Sequence, residues 1–270
     1  MSKISKLSGL VKYRRHILGL VNQKNYEKAQ DAILHKFGME KLPSVKPSDV
    51  FSLYPPSRDS FSITTDFSYG ISPENDYYFL CRFANALNAK RYFEIGTWLG
   101  LSARNMSDNL DDSAEIFSLD IPFDHPDIAI FNIPEHIFGY YAREKKNVHF
   151  LKSDSMKFNP AEYSKSCNLV FVDGNHSQEY VENDTRIAME LVKDDNSVIA
   201  WHDYYLLGEL NKNVLCGILN SVPAEKHKHI YHLQQSNMAI YSPKFNFKPA
   251  EEKKWDIPEK AFSIEMKYGI

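Results

Sequence analysis

Five short apolar runs, each closed by an acidic residue, constrain this chain more than any other feature of its sequence. Glu94 lies near the end of Arg91-Tyr-Phe-Glu-Ile95, and Asp120 ends Ala114-Glu-Ile-Phe-Ser-Leu-Asp120. Asp154 follows Asn147-Val-His-Phe-Leu151, Asp173 ends Asn168-Leu-Val-Phe-Val-Asp173, and Asp203 follows Ser197-Val-Ile-Ala-Trp201. Segments of helical periodicity alternate with these runs, and that alternation implies a parallel sheet covered on both faces, an α/β fold. In such sheets ligands bind beyond the carboxyl ends of the strands, where all five acids fall. Taken singly, Asp120 reads as a strand cap, Asp154 as a turn residue and Asp184 as a helix-surface charge. The ordered set points to one site.

At 270 residues and 43% hydrophobic content the chain can bury a substantial core. Its formal charge of -3 gives no electrostatic case for nucleic acid, which favours a clustered basic face. Cys81, Cys167 and Cys216 are widely spaced without a CxxC pair, which fits a reducing cytoplasm and argues against a zinc site or a disulfide framework. No apolar run reaches the length of a membrane span. Lys3, Lys6, Lys12, Arg14 and Arg15 alternate with Ile4, Leu7, Leu10 and Val11, the pattern of a basic amphipathic helix. Such a helix packs on its own domain or makes a peripheral contact with a membrane or a partner.

The organisation expected is an N-terminal helical extension and linker over 1–70, a main domain over 71–243 and a C-terminal tail over 244–270. Helices are expected over 4–21 and 25–37, the second capped by Asn25 and ended by Gly38. Pro43, Pro47, Pro55 and Pro56 predict an irregular connection from 39 to 69 that lies across the main domain. Ser72-Pro73-Glu74 marks a helix start, and residues 121–146 read as an irregular or partly helical insertion on the substrate side. His229–Leu233 and Met238–Tyr241, separated by a turn-prone Gln-Gln-Ser-Asn, predict an antiparallel hairpin, and the polar tail beyond it reads as loose.

Glu94-Ile-Gly-Thr-Trp-Leu-Gly100 is a glycine turn between a buried strand and a helix, the layout of a nucleotide-type pocket, where glycines let the backbone come close to a ligand. Val172-Asp-Gly-Asn-His-Ser177, Asp184 and Ala200-Trp-His-Asp-Tyr204 complete the pattern. With these in place the chain resembles, over about residues 72–243, the class I S-adenosylmethionine (SAM) dependent methyltransferases. Its DGxH and HDY elements resemble the branch of macrolide-sugar O-methyltransferases and cephalosporin-hydroxylase-like proteins. The resemblance implies a Rossmann-like, doubly wound, mostly parallel seven-stranded sheet with an antiparallel last strand. It implies cofactor contacts from Glu94, Gly96, Thr97, Gly100, Asp120, Asp154, Ser155 and Asp173, with Asp120 on the ribose hydroxyls and Asp154-Ser155 on the adenine side. One departure is Asp194-Asp195-Asn196, where the family often has a glycine pair.

Methyl transfer from a sulfonium is an in-line displacement that needs alignment and a base for the acceptor hydroxyl. His176, three residues after Asp173, titrates near neutrality and is placed to serve, and the resemblance points to the same histidine. Asp173 and Asp203 end neighbouring strands, and paired carboxylates there suit magnesium or another divalent cation, with His202 as a third ligand. His202 is a poorer magnesium ligand, so three readings stay open: an incomplete site, preference for another divalent ion, or an Asp173 that contacts the cofactor instead. Trp98 and Trp201 read as core residues or as walls of the pocket.

The function expected is transfer of a methyl group from SAM to a hydroxyl of a small molecule, a sugar or glycosylated metabolite, by a cytoplasmic enzyme that is free to form homo-oligomers. The alternatives are a non-catalytic SAM-fold binding protein and a nicotinamide-dependent oxidoreductase. The second is disfavoured because Gly96 and Gly100 do not make G-x-G-x-x-G.

Overall fold

The computed structural model describes residues 22–58, 60–65, 74–123, 125–126, 134–206 and 208–251. It forms two compact units, Met1–Lys41 and Leu42–Ile270. The helix expected over 4–21, the helix start at Ser72-Pro73 and the end of the tail lie outside the described residues. Among the described residues no helix is long and apolar enough to cross a membrane.

In the first unit residues 22–37 form helix α1. Asn25 lies inside this helix and is not its cap. Gln23 and Lys24 are good helix formers, and Gln23 Nε2 donates to Glu27 Oε1 at 3.2 Å one turn on, so the helix runs through Asn25. Gly38 ends it as expected, with φ +63°, while the N–H groups of Gly38 and Met39 donate to the carbonyls of His35 and Leu34.

Among its described residues the second unit has ten strands: β1 (Ser44–Val45), β2 (Arg91–Ile95), β3 (Glu115–Asp120), β4 (Val148–Lys152), β5 (Leu169–Val172), β6 (Val198–Trp201), β7 (Tyr205–Leu206), β8 (Glu209–Leu210), β9 (Ile230–Leu233) and β10 (Ala239–Tyr241). Its helices are α2 (Pro47–Leu53), α3 (Glu74–Ala86), α4 (Leu101–Asn109), α5 (Gln178–Leu191) and α6 (Lys212–Ser221). Eight strands share one sheet in the order β1-β9-β10-β6-β5-β2-β3-β4, and β7 and β8 pair in a small hairpin of their own. All pairings in the large sheet are parallel except those of β10, which runs against β6 and β9. This is the Rossmann-like, mostly parallel sheet with an antiparallel last strand that the resemblance implies, enlarged by one strand.

The central strands β2, β5 and β6 are nearly continuous apolar runs because both their faces are covered, and Phe93, Phe171 and Trp201 have no exposed surface. From β2 the chain moves outward to β3 and β4, then returns to β5 on the other side of β2. The order therefore reverses between β2 and β5, and the crevice at that reversal is where such sheets take ligands. The two strand exits touch there: the Asp173 N–H donates to the Ile95 carbonyl at 2.7 Å.

Two segments differ from the sequence reading. Residues 39–69 are not wholly irregular, since β1 adds to the sheet beside β9 and Pro47 sits in the first turn of α2, where its missing N–H costs nothing. Asn109 exchanges two hydrogen bonds with the Ser62 backbone and Asn105 two with Thr64, so the described part of this segment lies along α4. The tail is not loose at its start, because Phe247 packs edge-on to Tyr231, Phe245 to Tyr54, and the Ala250 N–H donates to the Ser44 carbonyl. A polar average conceals those two anchoring rings.

Candidate functional site

The glycine turn folds back on its own chain. Gly96 has φ +104°, and a Cβ placed on it would lie 2.0 Å from the Asp173 carbonyl oxygen. Gly100 has φ +77°, and its Cβ would meet the Gly139 Cα at 3.0 Å. Both glycines are thus taken up by backbone contacts that bring the β2 exit against β5 and against residues 138–141. The close approach expected toward a ligand is, at these two positions, an approach to neighbouring chain. Gly139 N–H and Tyr141 N–H donate to the carbonyls of Trp98 and Leu99, which docks the insertion onto the turn.

The acids on this side are engaged internally. Glu94 is fully buried beneath the turn and receives the hydroxyls of Tyr92 (2.9 Å) and Ser118 (2.6 Å). Burial raises its pKa to about 7 against the hydrogen bonds, so its place is that of a supporting carboxyl. The Thr97 hydroxyl pairs with that of Ser118 at 2.6 Å. Asp120 Oδ2 accepts the N–H groups of Thr97 and Trp98, both at 3.0 Å, and Oδ1 accepts the Ile121 N–H at 2.8 Å. Asp120 also lines a cavity of about 590 Å³ with Ile121, Phe123, Phe138, Leu151 and Lys152. Asp154 caps the short turn that begins at Ser155 through the Met156 N–H (3.0 Å), and Asn183 Nδ2 holds the Ser155 carbonyl at 2.9 Å. Asp184, read from sequence as part of the pattern, is buried on α5, where burial raises its pKa to about 6.

The ends of β5 and β6 differ. His176 Nε2 lies 2.9 Å from Asp203 Oδ2 and 3.7 Å from Asp173 Oδ1. His202 Nδ1 lies 3.1 Å from Asp173 Oδ1 and 3.2 Å from Asp203 Oδ1. His202 Nε2 faces Asp76 Oδ2 at 3.1 Å. Burial opposes charge on both imidazoles but is outweighed: Asp173 and Asp203 raise His176 to about 9, and with Asp76 they hold His202 well above the ordinary histidine range. In return the histidines hold Asp173 and Asp203 below the carboxylate range against burial, while Asp76, fully enclosed, is pushed up by burial. Asp203 adopts φ +51°, a left-handed conformation uncommon for a side-chain-bearing residue, and this turns its carboxylate toward both rings.

Ligand atoms of Asp173, His176 and Asp203 all lie within 4.8 Å of one another, the one such grouping that could hold a metal ion among the described residues. His202, expected as the third ligand, has both ring nitrogens engaged with carboxylates, and His176 takes its place. Two carboxylates and an imidazole fit a divalent ion that accepts mixed oxygen and nitrogen donors better than they fit magnesium. Asp76 is the residue that sequence reading missed. An acid in a helix's first turn is ordinary, but Asp76 is in register with Leu80 and Phe83, four and seven residues on, which puts a carboxylate on the buried stripe. Trp201 is core, its indole donating to Thr185 Oγ1, whereas Trp98 is 37% exposed and meets Phe138 edge-on.

No curated protein matches this chain. Among solved structures, an SAH-bound methyltransferase from Podospora anserina is 17% identical, covering 63% of this chain and 78% of that one, with a TM-score of 0.44. An O-methyltransferase from Bacillus cereus in complex with SAH is 18% identical over 64% and 81%, with a TM-score of 0.44. The O-methyltransferase TomG from Streptomyces achromogenes, in complex with SAM and involved in tomaymycin synthesis, is 13% identical over 72% and 94%, with a TM-score of 0.43. Likenesses at this level leave function to the site itself. Residues 93–204 match the model of a family described as a methyltransferase domain, and that span holds all five strand-end acids as well as His176 and His202.

Proposed function

We propose that the protein is a SAM-dependent O-methyltransferase acting on a hydroxyl of a small molecule, with sugars and glycosylated metabolites the first acceptors to test. The observation that carries the reading is the Asp173–His176–Asp203 cluster, set beside the glycine turn at the point where the strand order reverses. The reaction moves a methyl group from the sulfonium to the acceptor oxygen, leaving S-adenosylhomocysteine (SAH), and the hydroxyl proton must go to a base. Asp173 and Asp203 favour the charged ring, so His176 serves as base through its neutral fraction, which grows as pH rises toward about 9; in that form Asp203 accepts the Nε2 proton at 2.9 Å and Nδ1 is open to the acceptor proton, as in a hydrolase triad. The His176 side chain is 42% exposed, so a small acceptor can reach it. Asp120, beside the cavity, is suited to the ribose hydroxyls, and Asp154 and Ser155 to the adenine side.

A second reading of His176 is favoured by the metal-ligand grouping. A divalent ion held by Asp173, His176 and Asp203 would lower the pKa of a bound acceptor hydroxyl. Nε2 cannot both donate to Asp203 and bind the ion, so the readings exclude each other. Turnover that survives exhaustive chelation keeps His176 as the base, whereas turnover restored only by Mn²⁺ or another divalent ion moves it to the ligand set.

The central reading is tested by calorimetric titration with SAM and SAH, for which saturable binding is expected; no binding of either overturns it. A panel of sugars and glycosylated metabolites scored for SAH release then tests the acceptor class. Cofactor binding with no turnover on any acceptor favours a non-catalytic binding protein.

A further inference from the structure

We propose that Asp76 is a positioning residue of the reacting centre, acting through His202 on the carboxylate pair. The inference rests on the reading that Asp173, His176 and Asp203 form that centre. Asp76 stands outside the span that matches the family model, on the first turn of α3, with no exposed surface. A carboxylate so enclosed is costly unless it is well paired. Its partners are few: His202 Nε2 at 3.1 Å and the backbone N–H of Asn237, 3.2 and 3.4 Å from its two oxygens.

Both partners lead to Asp203. An imidazole can turn over about its last side-chain bond at little cost, putting a ring carbon where each nitrogen stood. Asp76 removes that freedom, because His202 Nε2 finds an acceptor in one orientation of the ring. In that orientation Nδ1 spans Asp173 Oδ1 and Asp203 Oδ1, tying together carboxylates from adjacent strands. The second route is through the backbone. The Asn237 carbonyl accepts the N–H of Tyr204 at 2.9 Å, directly after Asp203. One residue of the β9–β10 turn, Asn237, is therefore gripped by Asp76 through its N–H and grips the β6 exit through its carbonyl, which helps to hold Asp203 at φ +51°. Asp203 then presents Oδ2 to His176. Orientation passes from Asp76 to His202, to the carboxylate pair and to His176.

The test is a ring nitrogen–proton correlation spectrum of the full chain labelled with ¹⁵N in histidine, compared among the wild type, Asp76→Ala and Asp76→Asn. Each sample is also titrated with SAH. Asp76→Ala is expected to shift the ring signals of His202 and, with them, those of His176, while SAH affinity changes by less than about threefold. A purely structural carboxylate lowers the melting temperature without moving His176. Asp76→Asn keeps the volume and one acceptor oxygen, so it should move both sets of signals in the same direction by less, and it serves where the alanine variant does not fold. His202 signals that move without those of His176, or no movement in either set, overturn the proposal. A wild type that fails to bind SAH overturns the methyltransferase reading instead, and the coupling between His202 and His176 is still scored on the same spectra.

Discussion

The exits of β2, β3 and β4 and the exits of β5 and β6 carry the same kind of residue and use it in opposite ways. On the first side Glu94, Asp120 and Asp154 accept from hydroxyls and backbone N–H groups, so dipoles hold these acids, and the charged neighbour Lys157 comes no nearer than 3.9 Å to Asp154. On the second side Asp173, Asp203 and Asp76 face two imidazoles, and the pairing is charge against charge. Dipoles shape a cradle that is set before any ligand arrives. A cluster of mutually paired ions is set by its own partners, and its protonation answers to whatever enters. That contrast suits a cofactor held by shape on one side and a proton moved on the other.

The sharpest way to break the comparison is at the seam where the two sides touch. Gly96→Ala puts a Cβ against the Asp173 carbonyl in a conformation that side-chain-bearing residues avoid, and that backbone cannot move without opening the β2–β5 pairing. We expect a loss of about 4 kcal/mol or more in chemical denaturation, or no folded protein at all. A loss below about 1 kcal/mol would mean that the two exits are not packed as described.

How much of this was legible in the sequence follows the same division. The strands were readable because both-face burial writes apolar runs, and the acids at their ends were readable because they interrupt those runs. The two-residue β1 was not, since two residues carry no periodicity, nor was the anchoring of Phe245 and Phe247 within a polar tail. The glycines announced a close approach but not to what, because Asp173 and Gly139 lie 77 and 39 residues further along the chain from the residues they meet. His202 was legible as a site residue and misread as a ligand, since a sequence cannot say which atom each ring nitrogen faces. Asp76 looked like any acid in a first turn until its partner 126 residues away was in place.

The charged side is tested by His176→Ala. Turnover should fall by about a hundredfold or more, the range for a lost general base, while SAH affinity stays within about threefold because the cradle is untouched. Unchanged turnover removes His176 from the proton path. A parallel loss of SAH affinity would mean that the two sides are not separable.

Glu94→Gln tests the dipole-held side. An acid whose folded pKa lies near 7 while its unfolded value is near 4.5 favours the folded state when protonated. Its contribution is therefore full below about pH 4.5 and lost as pH rises toward 7. Glutamine keeps an acceptor oxygen for the Tyr92 hydroxyl and does not titrate. The variant should gain about 1 to 3 kcal/mol relative to the wild type between those pH values, with little change in SAH affinity. Equal pH dependence in the two proteins would mean that Glu94 is not the buried, proton-holding group described.

The smallest effect belongs to the ionised side. His176 has a folded pKa raised from about 6.5 to about 9, so its contribution to stability is full below about pH 6.5 and is lost as pH rises through about 9. Because its side chain is 42% exposed, solvent screens much of the attraction, and the difference in melting temperature between the wild type and His176→Gln should be about 2 °C or less at pH 6.5. That difference should shrink toward zero by pH 9.5. It has the same sign as the Glu94 effect but a higher window, so melting curves at pH 5, 6.5, 8 and 9.5 separate the two groups. A His176→Gln difference that grows with pH would mean that Asp173 and Asp203 do not favour the charged ring, and the contrast between a dipole-held and an ion-held half of the site would fail at its second half.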